Sequence, residues 1–288
     1  MHYLVISVLC SVAVSVLLKL AKRYRIDVRQ AIMVNYLVAA VATLLWFDPR
    51  PQALLQPEAV GAWPILIALG ILLPSIFVVW ALAVRHGGVV RADASQRLSL
   101  LLPLVAAFTL FGQPFNWLEG LGAALGLLAI AGLVARRNAG RQDWRGGAWL
   151  WLLLLFVGMG AIDILFKEVA RLTGVPFPAV LLAAFVLAFV LSVLAIGGLA
   201  VAGRARLHWR YLLGGVLLGV LNFGNIVSYV EAHRALPENP ALVFSAMNIG
   251  VIVVATLVGV GLFHERLNHW NRAGLVLAVV AVIVLATA

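Results

Sequence analysis

The chain has 288 residues, 64% hydrophobic and 11% charged, with a formal net charge of +10. A water-soluble domain carries about a quarter charged residues, so a soluble globular class is excluded. The basic residues stand singly between long apolar runs and do not gather on one hydrophilic face, which excludes a nucleic-acid surface and reads as a membrane-topology signal.

A bilayer core of about 30 Å needs about 20 helical residues, and backbone polar groups in lipid must be satisfied inside the helix. Ten segments fit, near 3–21, 30–47, 62–84, 92–111, 117–135, 147–166, 177–201, 211–232, 240–262 and 271–287. Only Met1 and His2 precede the first, with no basic stretch and no clear cleavage site after it, so it reads as a retained span. The single cysteine, Cys10, lies within it and reads as a small core side chain. The connections carry turn chemistry, among them DPRP at 48–51, HGG at 86–88, RNAGRQD at 137–143, TGVPFP at 173–178 and PENP at 237–240. They are short, so sequential helices are expected to pack as antiparallel neighbours.

The chain repeats itself. SVLLKLAKRY at 15–24 matches DILFKEVARL at 163–172 and lays Lys19 on Lys167. FGQPFNWLEGLG at 111–122 matches FHERLNHWNRAG at 263–274, pairing Phe111 with Phe263, Asn116 with Asn268 and Gly122 with Gly274. The halves are 1–137 and 144–288, each with five spans. Five is odd, so the two copies must insert in opposite senses, an architecture suited to alternating access.

Loop charges give the orientation. The loops after odd-numbered spans hold Lys22, Arg23, Arg25, Arg29, Arg85, Arg91, Arg136, Arg137, Arg141, Arg145, Arg204, Arg206, Arg210, Arg266 and Arg272, while the other side holds Arg50, Arg171 and Arg234. Both termini are therefore expected outside the cytoplasm. Three of the four paired loops exchange their charge bias between the halves, which a same-facing duplication would not do.

Ten spans in two five-helix halves, each closing on a Phe/Gly-rich turn before a glycine-studded last helix, resemble the drug/metabolite transporter superfamily, specifically its EamA-like branch. Glu265 and Gly274 fit the Glu and Gly of that family's turn before the last helix, while Gln113 and Gly122 hold those positions in the first half. The resemblance implies an all-α polytopic membrane fold with a central cavity lined by spans 1–4 and 6–9, spans 5 and 10 set apart. Two features depart from the pattern. Pro103 matches a proline common in the fourth helix, but the ninth reads NIGVIVV and has none. Well-described relatives also keep both termini cytoplasmic, opposite to the charge count here.

A charge in mid-span costs about 2.5–3.5 kcal/mol on insertion scales, so each carries a functional hypothesis. Lys19 and Lys167 are symmetric candidates for the pathway, with snorkelling to the headgroups as the alternative. Asp163 precedes Lys167 by one turn on the same face, a pairing that Ser15 does not offer Lys19. Asp93, Gln96 and Arg97 share a face of the fourth span, against the alternative of a solvated helix end. Asn222, Asn225 and Tyr229 form a stripe on the eighth, expected opposite Gly215 and Gly219 earlier in the helix and read as cavity lining against the rival of helix packing. Trp80 aligns with Tyr229, its alternative being an interfacial belt residue. Ser245 and Asn248 on the ninth span and Asn35 on the second complete the set. Glu231, His233 and Glu238 read as a hydrated rim, with proton coupling as the alternative.

No paired histidines at metal-ligand spacing, nucleophile elbow or Walker-type phosphate loop is present, so neither an enzyme nor an ATP-driven pump is expected. No cofactor or metal is expected, and proton or ion coupling is left open. The function expected is a secondary transporter of a small polar metabolite, such as an amino acid or organic anion, in a prokaryotic cytoplasmic membrane. The rivals are a lipid or glycolipid-precursor flippase and a non-transporting membrane protein of the same fold. The expected partners are a small-molecule substrate and membrane lipid. The sequence does not choose between monomer and homodimer.

Overall fold

The computed structural model describes residues 2–23, 27–87, 89–134, 148–203, 208–263 and 269–287. Its regular structure is helical, 88% helix with no strand among the described residues. The helices are α1 (His2–Arg23), α2 (Val28–Phe47), α3 (Ala62–Gly87), α4 (Val89–Leu98), α5 (Leu101–Thr109), α6 (Trp117–Val134), α7 (Ala148–Arg171), α8 (Phe177–Val201), α9 (Trp209–Ala235), α10 (Pro240–Phe263) and α11 (His269–Thr287), with two 3₁₀ turns, Pro51–Leu55 and Pro57–Ala59, between α2 and α3. By length and composition, α2, α3, α7, α8, α9 and α10 can each cross a membrane. The apolar stretches of α1, α6 and α11 are shorter.

Local chemistry sets the helix ends. The Asp27 side chain caps α2, accepting the Arg29 N–H at 3.0 Å and the Arg29 guanidinium at 3.1 and 3.0 Å. Burial pushes the Asp27 carboxyl pKa up, but these bonds outweigh it and hold it below its ordinary value. At the other end Asp48 enters the left-handed region, φ 43°, donating its N–H to the Leu44 carbonyl, and Pro49 prevents continuation.

The fourth apolar segment is not the single helix expected over 92–111. It breaks at Ser99 and Leu100, between α4 and α5. Pro103 is the cause: it has no N–H for the Ser99 carbonyl, and its ring crowds that oxygen. Leu100 turns its N–H to Arg97 at 3.3 Å, and the Gln96 carbonyl accepts the Ser99 hydroxyl at 2.6 Å instead. On α7, Gly160 leaves room for the break, since a Cβ there would lie 3.0 Å from the Ser99 carbonyl oxygen.

The chain forms two compact units. One comprises residues 1–8, 76–164 and 232–288, the other 9–75 and 165–231, so each draws on both halves of the sequence. In the first, α6 and α11 pack along one another, and α10 packs against α5, α6 and α11 around Ala129, Ile249, Ala278 and Ala281. In the second, α2 packs against α8.

Glycines make the closest approaches. In the second unit, an added Cβ would lie 2.6 Å from the Leu187 side chain at Gly70, 2.6 Å from the Val38 Cβ at Gly219, and 2.7 Å from the Ala31 carbonyl oxygen at Gly215. At Gly224 it would meet the Cys10 sulfur at 3.2 Å. In the first unit, the Gly158 position would meet Ile76 at 2.7 Å. Ala31 and Asn35 on α2 meet Gly215 and Gly219 on α9 in the same order, so these two helices run the same way.

Candidate functional site

The polar residues fall into separate groups in the two units. In the second unit, Lys167 is 2% exposed, one of the largest side chains to be so fully buried. It therefore does not snorkel. Its neighbour in sequence, Phe166, packs edge-on against Tyr229 of α9, ring centroids 6.1 Å apart. Tyr229 is buried, and Asn222 and Asn225 on the same helix are half-buried. Asn35 is also buried, and its Oδ1 accepts no hydrogen bond. An unpaired buried acceptor costs about 1–3 kcal/mol, which sets Asn35 apart from a residue retained for packing.

The Asn222–Tyr229 stripe stands differently from its expected setting opposite Gly215 and Gly219. At 100° per residue Asn222 lies on the glycine side of α9, the side that Gly215 and Gly219 turn to α2.

In the first unit, α4 carries Asp93, Gln96 and Arg97, with Gln96 and Arg97 half-buried. Ser95 beside them donates its hydroxyl to the Leu152 carbonyl at 2.5 Å and fastens α4 to α7. Asp163, half-buried, lies on α7 one turn before Lys167. Ser245 is wholly buried and its hydroxyl makes no hydrogen bond, while Asn248 donates to the Phe244 carbonyl at 3.0 Å. Trp80 is 43% exposed, in contrast to the buried Tyr229 with which it aligns in sequence. The side chains of Lys19 and Asp93, together with Glu265 and most of the arginine-bearing loops, lie outside the described residues.

Of the expected rim, Glu238 is exposed and Glu231 half-buried, but His233 is 1% exposed and packs on Phe244 with ring centroids 4.7 Å apart. The rim reading therefore fails for His233, because the last turn of α9 turns that side chain inward onto α10.

One buried polar cluster was not foreseen. Gln113, after α5, and Glu119, in the first turn of α6, are joined by a 2.5 Å hydrogen bond, and Gln113 also reaches the start of α10. Asn116-x-x-Glu119 has the form of a capping box, and the Asn116 side chain does accept the Leu118 N–H at 3.0 Å. That motif marks Glu119 as ordered, but its partner could not be read from it.

The profile of the EamA-like transporter family matches residues 1–135, the first half of the chain. A protein of Haemophilus influenzae described as uncharacterized is 38% identical over 287 residues, covering 98% of this chain and 96% of the relative. The chain belongs to the EamA-like transporter family. A solved crystal structure at 16% identity superimposes with a TM-score of 0.71, covering 98% of this chain and 94% of that one, and so shares the fold. As a member of the EamA-like family within the drug/metabolite transporter superfamily, the chain is a multi-pass membrane protein of a transporter family, whose members are transporters and not enzymes. The helices α6 and α11, which cover the segments expected as the fifth and tenth spans, pack along one another.

Proposed function

We propose that this EamA-like protein is a secondary transporter of a small polar metabolite, an amino acid or organic anion. Ten spans in two inverted five-helix halves would work by alternating access about a central pathway in a prokaryotic cytoplasmic membrane. The observation that carries the reading is a symmetry of close contacts. The shift that lays Trp80 on Tyr229 also lays Gly70 on Gly219 and Leu187 on Val38, so the α3–α8 contact and the α9–α2 contact are the same contact made twice.

The alternating ten-span topology receives separate support. Contacts within each unit join chain ends that this topology assigns to one side: Gln30 with His208 and His86 with Trp151 on the arginine-rich side, Glu58 with Gly174 and Gln113 with Ala241 on the other. Lys167 favours an anionic or zwitterionic cargo, because a buried ammonium attracts a carboxylate strongly in a low-dielectric setting.

Reconstitution into liposomes tests the reading. Exchange of a labelled amino acid or organic anion is expected, with Lys167→Met and Asp163→Asn abolishing it while Lys167→Arg retains part. A protein that exchanges no member of either class, or whose Lys167→Met variant exchanges at the parental rate, would remove the basis for the proposal.

A further inference from the structure

Gln113 ties three helix ends together. Its backbone N–H donates to the Ala107 carbonyl of α5 at 3.1 Å, its Nε2 donates to Glu119 Oε2 of α6 at 2.5 Å, and its Oε1 accepts the Ala241 N–H of α10 at 3.0 Å. Gln113 and Glu119 are each 6% exposed. Ala241 is the second residue of α10, so its N–H is one of the first-turn donors that have no acceptor within the helix. Glu119 sets the direction of the amide: a carboxylate can only accept, so it takes the NH₂ end and leaves the carbonyl end for α10. Gly112, at φ +67°, supplies the reversal that carries Gln113 back under α5, a conformation inexpensive only for glycine.

Beneath this clasp, Ala241, Ser245 and Asn248 follow at i, i+4 and i+7 along one face of α10. Ser245 is wholly buried with its hydroxyl unbonded, so one turn below the clasp lies a polar group that this conformation leaves unsatisfied. Phe244, on the adjoining face, packs against Phe111 of the clasp turn at 6.3 Å and against His233 at 4.7 Å, an apolar plug over the same helix end.

We propose that Gln113, Glu119 and the Ala241 N–H form a gate latch: made, it keeps the start of α10 and the Ser245 hydroxyl from water; broken, it frees that helix end and Ser245 hydrates. The latch rests on the carrier reading above and gives it a gate. In the repeat register that lays Phe111 on Phe263, Glu265 and Asn271 stand where Gln113 and Glu119 stand, the carboxylate and amide in exchanged order. The exchange suits the chemistry, since a carboxylate at the first position can accept from both a helix N–H and a side-chain amide.

The test is the reactivity of Ser245→Cys, in a Cys10→Ser background, toward a charged, water-soluble maleimide in detergent. Slow labelling is expected in the parent. Gln113→Ala should label about tenfold faster, the shift expected when a charge-assisted buried hydrogen-bond pair is removed from one of two states. Gln113→Glu, which sets two carboxylates face to face, should do the same. The exchanged pair Gln113→Glu with Glu119→Gln should return to the parental rate and the parental thermal midpoint. If Gln113→Ala does not fold, Gln113→Asn, one methylene too short for both partners, replaces it. Labelling at the parental rate in the single variants, or no recovery in the exchanged pair, overturns the latch. Because no cargo enters this assay, failure to find a transported solute would sink the carrier reading and leave the labelling result standing.

Discussion

Gly219 of α9 stands so close to Val38 of α2 that a Cβ on the glycine would lie 2.6 Å from that of the valine. One turn earlier, Gly215 faces the Ala31 carbonyl oxygen, and a backbone atom cannot swing aside as a side chain can. Gly215→Ala should therefore lower stability by about 1–3 kcal/mol, as overpacking does. Gly197→Ala on α8, where nothing lies within 4 Å, should be neutral or gain up to about 1 kcal/mol from helix propensity. Thermal unfolding of the two variants in detergent checks the contrast.

The break between α4 and α5 should respond to its cause. Restoring a donor with Pro103→Ala lets the helix run on through Ser99 and Leu100. Slower hydrogen exchange across 99–103 is the expected result. Unchanged exchange there would assign the break to packing against Gly160 instead, in which case Gly160→Ala, crowding the Ser99 carbonyl, would be the variant that moves it.

Helix positions were legible in the sequence because apolar runs, prolines and caps are local. The expected 177–201 is the observed α8, and most other ends agree within a few residues. The fourth span was misread although Pro103 was noticed, because the altered hydrogen bonds fall three and four residues before it. The burial of His233 and the bond from Gln113 to Ala241 were hidden for another reason. Both depend on α10 returning to a segment that is distant in sequence in the case of Gln113, and no local pattern records such a meeting. Lys167 was singled out by the repeat, but only packing distinguished a buried lysine from one that snorkels.

Asn35 separates function from stability. Its Oδ1 makes no hydrogen bond, so Asn35→Leu, which keeps the same branched arrangement of side-chain heavy atoms, removes an unpaired acceptor and should leave the thermal midpoint unchanged or raise stability by about 1 kcal/mol. Exchange in liposomes should fall sharply in the same variant. A large loss of stability would instead assign Asn35 to packing.

Asp27 predicts a pH dependence. Its pKa is held below the ordinary value of 3.8, so the unfolded chain binds the proton more tightly than the folded one. The stabilisation is complete above that ordinary value and is lost as pH falls through the lower folded one. Asp27→Ala, which removes the cap, should lose about 1 kcal/mol at pH 7. Asp27→Asn keeps a cap and loses less, and its gap to the parent should close below about pH 4. Unfolding midpoints measured from pH 7 to 3 follow both.

The paired glycine contacts have a consequence for the ancestry of the chain. Under the proposed repeat, the first half brings Gly70 and Val38 to these contacts and the second brings Gly219 and Leu187, so each half supplies one vacancy and one side chain. Two copies of the first half would set Gly70 against Val38, and two copies of the second would set Gly219 against Leu187. At this contact each half still carries both the lock and the key, as a unit that once paired with a copy of itself would.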